Sequence, residues 1–401
     1  MALLPVDDAL AMLLAGAGPK APEAVDLEHA AGRVLAEPLF ALRTQPPFNA
    51  SAMDGYAVRA ADTQSAGALL KVIGQAPAGK QFSGGVVDGE AVRIFTGAPV
   101  PDGADAVLIQ ENGKAHGDTV EVLEPVAAGR NIRRRGLDFG EGDLLLEKGR
   151  ILDAAALSLA ASANHAHVRV VGRPLVAIIA TGDELLQPGS TPGPDQIISS
   201  NAYGVAAIAS AAGAEVMNLG IAPDRVDAIS ALVDQALSAG ADIIVTLGGA
   251  SVGDHDLVHQ VLTQAGLSLA FWKIAMRPGK PLNFGTLAGA RCIGLPGNPV
   301  ASLLCSQLFL APLVSRLAAL PHVQDMRDAF LALALPQNDL RQDYVRADVK
   351  VGADGKLVAT PFATQDSSML RVLADSNAVI VRPPFDPARA AGEACRVLML
   401  R

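Results

Sequence analysis

From residue 173 to about 322, the sequence alternates between short apolar runs and longer amphipathic runs. The apolar runs include PLVAIIA, AEVMNLG and ADIIVTLGG, and the amphipathic runs between and after them are NAYGVAAIASAAG, DRVDAISALVDQALSAG and DLVHQVLTQAG. Buried apolar strands that alternate with amphipathic helices are typical of parallel β-α-β units. This region is therefore predicted to form an α/β domain, with a mostly parallel sheet and helices on both faces.

Polar and glycine-rich clusters follow the predicted strands of this region. They are TGDE at 181–184, IAPD at 221–224, ASVGDHD at 250–256, MRPGKP at 276–281 and NPVASLL at 298–304. Turns at the opposite ends of the strands, such as SAAGAE and SAGAD, contain little chemistry. Because ligands bind at the carboxyl ends of strands in open α/β sheets, the sequence predicts a binding site at this one edge.

The stretch LGGASVGDHD, residues 247–256, has the composition of an anion-binding turn. Gly248 and Gly249 allow the backbone to approach a ligand without an intervening Cβ. Ser251 and the amides at the start of the next helix can hold an anionic group. The two aspartates suit a different ligand, because Asp254 and Asp256 would repel a phosphate but could bind a Mg²⁺ ion.

Other charged side chains could complete this site. Asp183, Glu184 and Asp224 could join the two aspartates as oxygen ligands from neighbouring loops. Arg277 and Lys280 would offset the charge of the anion. A simpler alternative remains open, since either Asp254 or Asp256 could merely cap the following helix, and PGNP could be no more than a helix start with proline in its first turn.

The flanking regions have other patterns. Residues 1–44 and 141–172 carry short helical patterns such as DLEHAAGRVLA and DAAALSLAASA, which predict an elongated helical or linker domain. Residues 45–140 contain short runs such as AVRIF and AVLIQ and read as an inserted β domain. Residues 323–401 again contain short strand-like runs, which predict a small C-terminal β domain. The α/β domain itself is assigned to residues 173–322.

Composition excludes several classes of function. A chain of 401 residues is too long for one ordinary core, and its net charge of −9 argues against nucleic acid or an anionic membrane as a main partner. The three cysteines have no metal-binding spacing and are expected to be buried thiols. No apolar run reaches the roughly 18 residues of a membrane span. A reducing cytoplasm is the predicted location.

Seven motifs occur in a characteristic order. They are PPFNASAMDGYAV, IFTGAPVPDGADAV, ATGDEL, SSNAYGV, LGGASVGDHD, RPGKP and LPGNPVAS. Together they resemble the molybdopterin molybdenumtransferase family, which includes the C-terminal enzymatic domain of gephyrin. The resemblance extends over nearly the whole chain. It implies an enzyme that inserts molybdenum from molybdate into adenylylated molybdopterin, with release of AMP and assistance from Mg²⁺.

The resemblance also implies an architecture. Family members are elongated homodimers of four-domain protomers, with a molybdopterin-binding α/β domain and a C-terminal β barrel. The β domain of one protomer and the α/β domain of the other would form one active site. Candidate protein partners are the molybdopterin adenylyltransferase and downstream factors of molybdoenzyme maturation.

The family's functional positions can be transferred motif by motif. The implied catalytic residues are Asp54, Thr96, Asp183, Glu184, Asp224 and Asp256. The implied cofactor-binding residues are Gly248, Gly249, Ser251, Lys273, Arg277, Lys280, Pro296, Asn298 and Pro299. The candidate metal ligands are Glu184, Asp224, Asp254 and Asp256.

The sequence departs from the family at three places. Arg277 replaces a lysine, Leu137 replaces a glutamate beside Asp138, and the residues 366–368, Asp-Ser-Ser, replace a Gly-Ser-Gly segment.

Two other functions are alternatives. A molybdopterin adenylyltransferase shares the α/β domain but usually has only that domain. A gephyrin-like scaffold would not need carboxylates at strand ends.

Overall fold

The computed structural model describes residues 3–248 and 257–401. The chain divides into two compact units. The first unit comprises Met1–Glu23, Gly32–Val34 and Val171–Arg401, and the second comprises Ala24–Ala31 and Leu35–Val170. The strands Pro22–Asp26 and His167–Val171 each contain a point where the chain passes from one unit to the other.

The described residues include eight α-helices. They are α1 Val6–Leu14, α2 Ala154–Ser162, α3 Asn201–Ala211, α4 Val226–Ser238, α5 Leu257–Gln264, α6 Pro299–Cys305, α7 Ala311–Leu317 and α8 Leu370–Asp375. A π-helical segment, Ser306–Leu310, joins α6 to α7 in one continuous helix. Residues Pro299–Leu317 are long and apolar enough to cross a membrane, but 83% of this stretch is buried inside the protein, as in a core helix.

The first unit contains a six-stranded α/β sheet. Its strands in spatial order are Glu215–Ala222, Leu175–Thr181, Ile243–Leu247, Ala290–Leu295, Asn283–Leu287 and Ser268–Trp272. The first four strands are parallel and the last two pair in antiparallel fashion. The prediction of a mostly parallel sheet is therefore confirmed.

The helices cover both faces of this sheet. Side chains alternate along Leu175–Thr181, because successive residues of a strand point to opposite faces. Val176 and Ile178 pack in a core with α1, α3, α6 and α7, whereas Ala177 and Ile179 pack in a second core with α4 and α5. Helix α4 ends at Ser238, and Gly240, directly after the C-cap residue Ala239, has a φ of 74°, the left-handed conformation that favours glycine.

A closed five-stranded barrel forms the C-terminal part of the first unit. Its strands in spatial order are Gln342–Val351, Leu357–Pro361, Met326–Leu331, Ala394–Met399 and Ala378–Arg382, and the last pairs with the first. The short strand Met276–Arg277 from the α/β domain pairs with Gln342 and Asp343 of the barrel. The predicted C-terminal β barrel is thus present.

The second unit is built mainly of β-strands. Its six-stranded sheet has the spatial order Ala106–Ile109, Gly55–Val58, Glu90–Ile94, Leu69–Ala76, Thr119–Val122 and Gly113–His116. Two short antiparallel pairs accompany it, Ala50–Ser51 with Ile132–Arg133 and Leu39–Phe40 with Leu144–Leu146. Within the predicted helical pattern DLEHAAGRVLA, only Leu27–His29 form a helical turn, of 3-10 type.

Helix α1 packs on the α/β domain. Its buried residues Val6, Ala9 and Leu13 join the core of the α/β domain. The backbone also connects α1 to that domain, because the amide of Ala275 donates to the carbonyl of Leu4 at 2.7 Å. Residues 1–23 fall in the first unit, together with the α/β domain.

This placement predicts an effect on stability. Leu13 is 0% exposed, so Leu13→Ala should lower the free energy of unfolding of the first unit by about 2–5 kcal/mol, the cost of a buried cavity. Met12 on the same helix is 40% exposed, and Met12→Ala should change it by less than about 0.5 kcal/mol. Equal effects of the two substitutions in urea denaturation would contradict the packing of α1.

Candidate functional site

The register of the parallel strands brings their carboxyl ends together. Thr181 lies opposite Ala222, and Leu247 lies opposite Leu295, while Ala180 pairs with Leu247 between them. The strands therefore end at the same level of the sheet. The polar residues that follow them in sequence begin at that edge, as the sequence predicted.

Three carboxylates occupy one part of this edge. The amide of Asp224 donates a hydrogen bond of 3.0 Å to Oδ1 of Asp183, which joins the loops after two neighbouring strands. Partial burial raises the pKa of Asp224, and the negative charges of Asp183 and Glu184 raise it further. The three acids thus repel one another when all are ionised.

Two of these carboxylates, Glu184 and Asp224, border a cavity. It has a volume of about 410 Å³ and is lined by Thr181, Gly182, Glu184, Asp224, Gly248, Leu257 and Val258. A larger cavity, of about 800 Å³, lies elsewhere in the first unit between α1, α7 and the barrel, and its lining is mainly apolar. The smaller cavity is the better candidate for a reactive site, because convergent polar groups mark such sites more reliably than volume does.

Gly248 has a clear steric reason to be glycine. Its φ is 92°, and an added Cβ would lie 3.0 Å from the carbonyl oxygen of Thr181. The backbone therefore approaches the end of the neighbouring strand too closely for a residue with a Cβ. The other predicted residues of this loop, Gly249, Ser251, Asp254 and Asp256, lie outside the described residues.

Two predicted cations lie near the same edge of the sheet. Lys273 directly follows Trp272, which is in register with Asn283 and through it with Gly294. Lys280 is exposed in the PGKP loop, where Gly279 packs so close to α6 that a Cβ would lie 2.7 Å from Cys305 Sγ. Neither lysine has an ion-pair partner among residues 3–248 and 257–401.

Arg277 was also predicted to offset the charge of the anion, but in the structure it pairs with carboxylates of the barrel. Its guanidinium forms an ion pair with Asp343, and it donates to Asp339 Oδ2 at 3.3 Å and to Asn338 Oδ1 at 3.2 Å. The hydrogen bond to Asp343 is the main cause that raises the pKa of Arg277. Because barrel carboxylates already offset its charge, Arg277 connects the α/β domain to the barrel and is a poor candidate for an anion ligand.

The PGNP loop is held from two sides. Asn201 Nδ2 donates to the carbonyl of Gly297 at 2.7 Å, and Asn298 Nδ2 donates to Ser367 Oγ at 2.9 Å. Asn298 is the N-cap residue of α6 and Pro299 follows in its first turn, so the alternative interpretation of PGNP as a helix start is geometrically correct. Pro296 is buried directly after the strand Ala290–Leu295.

The barrel contributes a contact that sequence reasoning did not locate. The amide of Val300 donates to the carbonyl of Ser367 at 3.0 Å, so the segment 366–368 covers the start of α6. Arg346, 0% exposed, holds this segment by hydrogen bonds to Gln365 Oε1 at 3.0 Å and to the carbonyl of Asp366 at 2.6 Å. A lone arginine in the strand YVRADV was the available signal.

The second unit contains the two remaining residues that were predicted to be catalytic, Asp54 and Thr96. Asp54 Oδ1 accepts two hydrogen bonds of 2.8 Å, from the backbone amide and from the hydroxyl of Thr96. Both hydrogen bonds lower the pKa of Asp54, and the bond from the backbone amide has the larger effect. The residue after Asp54 must be small, because a Cβ on Gly55 would lie 2.0 Å from the carbonyl oxygen of Leu108.

Comparisons with known proteins identify the family. Three family models match the chain: the MoeA N-terminal region (domain I and II) over residues 4–164, a probable molybdopterin binding domain over 177–316, and the MoeA C-terminal region (domain IV) over 328–400. The molybdopterin molybdenumtransferase of Haemophilus influenzae is 35% identical over 382 residues, 94% of this chain and 93% of the relative. That of Bacillus subtilis is 35% identical over 99% of this chain and 94% of the relative.

The chain belongs to the molybdopterin molybdenumtransferase family. A solved structure supports the same assignment. The molybdopterin biosynthesis MoeA protein from Pyrococcus horikoshii superposes with a TM-score of 0.81 at 29% identity, and the match covers all of both chains. The predicted family, multidomain fold and enzyme class are therefore confirmed.

The partial burial of Asp224 within the acidic cluster, which is the group formed by Asp183, Glu184 and Asp224, predicts a pH-dependent effect. The pKa of Asp224 is higher in the folded protein than in the unfolded chain. At neutral pH the ionised side chain therefore destabilises the folded state relative to the unfolded state. Asp224→Asn should therefore raise the Tm at neutral pH. The gain should shrink as the pH falls towards 3.8, the ordinary pKa, where the unfolded carboxyl group is also protonated.

Asp227 provides the matched control for this experiment. Its pKa is lowered, mainly by a hydrogen bond from Arg225, so its ionised form favours the folded state above the ordinary pKa. Asp227→Asn should not raise the Tm at neutral pH. If Asp224→Asn lowered the Tm at neutral pH, or if both variants raised it equally, the acidic cluster would not be the source of the effect.

Proposed function

We propose that this protein inserts molybdenum from molybdate into adenylylated molybdopterin and releases AMP. The observation that carries the proposal is the carboxyl edge of the α/β sheet, where Glu184 and Asp224 line a cavity and Lys273 and Lys280 lie near the same edge. Membership of the molybdopterin molybdenumtransferase family supports the reaction class.

The charges of this site suit the proposed substrates. An adenylylated cofactor carries a phosphoanhydride, and molybdate is an oxyanion. Lys273 and Lys280, which have no ion-pair partner in the described part of the chain, can offset these negative charges. The backbone at Gly248 can approach the substrate closely, since no Cβ intervenes.

The acidic cluster suits Mg²⁺. No group of three described His, Cys, Asp or Glu residues could hold a metal ion alone. Mg²⁺, however, commonly uses one or two carboxylates, water and substrate phosphates. Glu184 and Asp224 are the described candidates, and Asp183 is their neighbour. Partial burial and, to a smaller extent, the charges of Asp183 and Glu184 raise the pKa of Asp224. A bound cation would favour its ionised form, and Mg²⁺ would polarise a phosphoryl oxygen of the substrate.

Asp54, with its charge stabilised by Thr96, is proposed to take part in the reaction as an ionised carboxylate. We also propose a homodimer in the cytoplasm, where the three free cysteines would stay reduced. The adenylyltransferase and molybdoenzyme maturation factors are proposed protein partners.

The direct test uses the purified protein with adenylylated molybdopterin, Mg²⁺ and molybdate. We expect AMP to be released only when molybdate is present. An adenylyltransferase would instead consume ATP and molybdopterin and release pyrophosphate. A scaffold would release neither product, so the three functions give different outcomes in one pair of assays.

Glu184 provides a residue-level test. Glu184→Gln should abolish molybdate-dependent AMP release with little change in Tm, because the side chain is exposed at a strand end and not part of a core. Glu215 is an exposed acid at the amino end of the strand Glu215–Ala222, and Glu215→Gln should retain activity. Near-normal turnover in Glu184→Gln would remove this residue from the site.

Lys280 tests the recognition of the anion. Lys280→Ala should weaken binding of adenylylated molybdopterin roughly tenfold, the scale of one lost charge-assisted contact. Lys350 of the barrel is also exposed but already pairs with Asp348 at 2.5 Å, so Lys350→Ala should leave the Kd unchanged. Titration calorimetry that gives the same Kd for wild type and Lys280→Ala would contradict the role of the PGKP loop.

A further inference from the structure

Arg93 of the second unit is fixed in one position by two aromatic rings. It lies directly opposite Tyr56 in the antiparallel pairing of Gly55–Val58 with Glu90–Ile94. Its Cζ atom is 5.1 Å from the ring centroid of Tyr56 and 5.1 Å from that of Phe95. Contacts of a guanidinium with two ring faces are favourable and restrict its motion.

The fixed guanidinium holds the backbone around Asp54. Its Nη1 donates to the carbonyl of Gly55 at 3.0 Å, and its Nη2 donates to Oε1 of Gln110 at 2.9 Å. The amide of Gln110 in turn donates to the carbonyl of Asp54 at 3.0 Å. Arg93 therefore restrains the carbonyl of Gly55 directly and that of Asp54 through Gln110.

The turn that follows the strand Glu90–Ile94 also fixes the carboxylate. Thr96 follows Arg93 by three residues and donates both its amide and its hydroxyl to Asp54 Oδ1. Oδ2 of Asp54 accepts no hydrogen bond from the described residues, so it remains available to a substrate group. Arg93 and Thr96 thus determine where the available oxygen lies.

We propose that Arg93 is a positioning residue, which holds the turn that presents the Asp54 carboxylate to the substrate. The proposal rests on the proposed function only for the role of Asp54. Arg93 has no carboxylate within ion-pair distance in the described part of the chain, so its four contacts are with rings and neutral oxygens. The planar donor fork is what these contacts require, and a lysine cannot reproduce it.

The test compares Arg93→Met with Arg93→Lys, and with Arg59→Met as the control. Arg59 lies in the same unit but pairs with Asp62 and Asp88 and contacts neither Gly55 nor Gln110. Two quantities are measured in each variant: the kcat and KM of molybdate-dependent AMP release, and the NMR resonance of the Thr96 amide proton. Asp54→Ala defines the position of that resonance when the hydrogen bond is lost.

We expect Arg93→Met to lower kcat about ten- to a hundredfold, with KM changed less than about threefold, because a misplaced group loses rate more than binding. The Thr96 resonance should move towards its position in Asp54→Ala. Arg93→Lys should fall between wild type and Arg93→Met on both measurements, and Arg59→Met should match wild type. In the Asp54→Ala background, Arg93→Met should cause no further loss of kcat.

Three outcomes would overturn the proposal. The first is an unchanged Thr96 resonance in both Arg93 variants. The second is a change mainly in KM, which would show that Arg93 binds the substrate itself. The third is a full additional loss of kcat in the Asp54→Ala background. If the wild-type protein released no AMP, the proposed function would fail, but the resonances would still decide whether Arg93 positions Asp54. If Arg93→Met did not fold, Arg93→Lys would supply the same comparison.

Discussion

The register of four parallel strands is the constraint on which the site of the α/β domain depends. Backbone hydrogen bonds align Thr181, Ala222, Leu247 and Leu295, so the loops after them begin at one level. A shift of one residue in any pair would also turn the apolar side chains of that strand to the wrong core. The energy that fixes the hydrophobic layers therefore also fixes where the polar loops meet.

The pKa values of Asp54 and Asp224 are shifted in opposite directions. Thr96 donates two hydrogen bonds to Asp54 and lowers its pKa, so this charge is already stabilised by the protein. Asp224 is partly buried beside Asp183 and Glu184, and its pKa is raised. A cation would relieve the second arrangement but is not needed in the first. This difference agrees with the proposed Mg²⁺ at the sheet edge and with the proposed metal-free role of Asp54.

The pattern of apolar and polar residues along the chain predicted the α/β domain and the edge of its sheet. Apolar runs of strand length and amphipathic runs of helix length identified the α/β domain, and the polar residues after the strands marked its edge. The pairing of Arg277 with Asp339 and Asp343 could not be predicted, because it joins residues more than sixty positions apart. The packing of α1 on the α/β core depends on the same kind of distant contact. For the residues of the site, the sequence suggested the chemistry, whereas their hydrogen-bond partners required the three-dimensional structure.

The barrel helps to hold the loop at the start of α6 in the α/β domain. Arg346 is buried in it and would be costly there without partners, and it donates to Gln365 and to the carbonyl of Asp366. Those bonds fix the segment whose Ser367 accepts from Val300 and Asn298 at the start of α6. The amide of Val300 is thereby satisfied by protein rather than by an anion. The segment 366–368, in which Asp366 and Ser368 replace the two glycines of the family's Gly-Ser-Gly pattern, consequently contributes to the rigidity of the PGNP loop, and the barrel helps to shape that edge of the sheet.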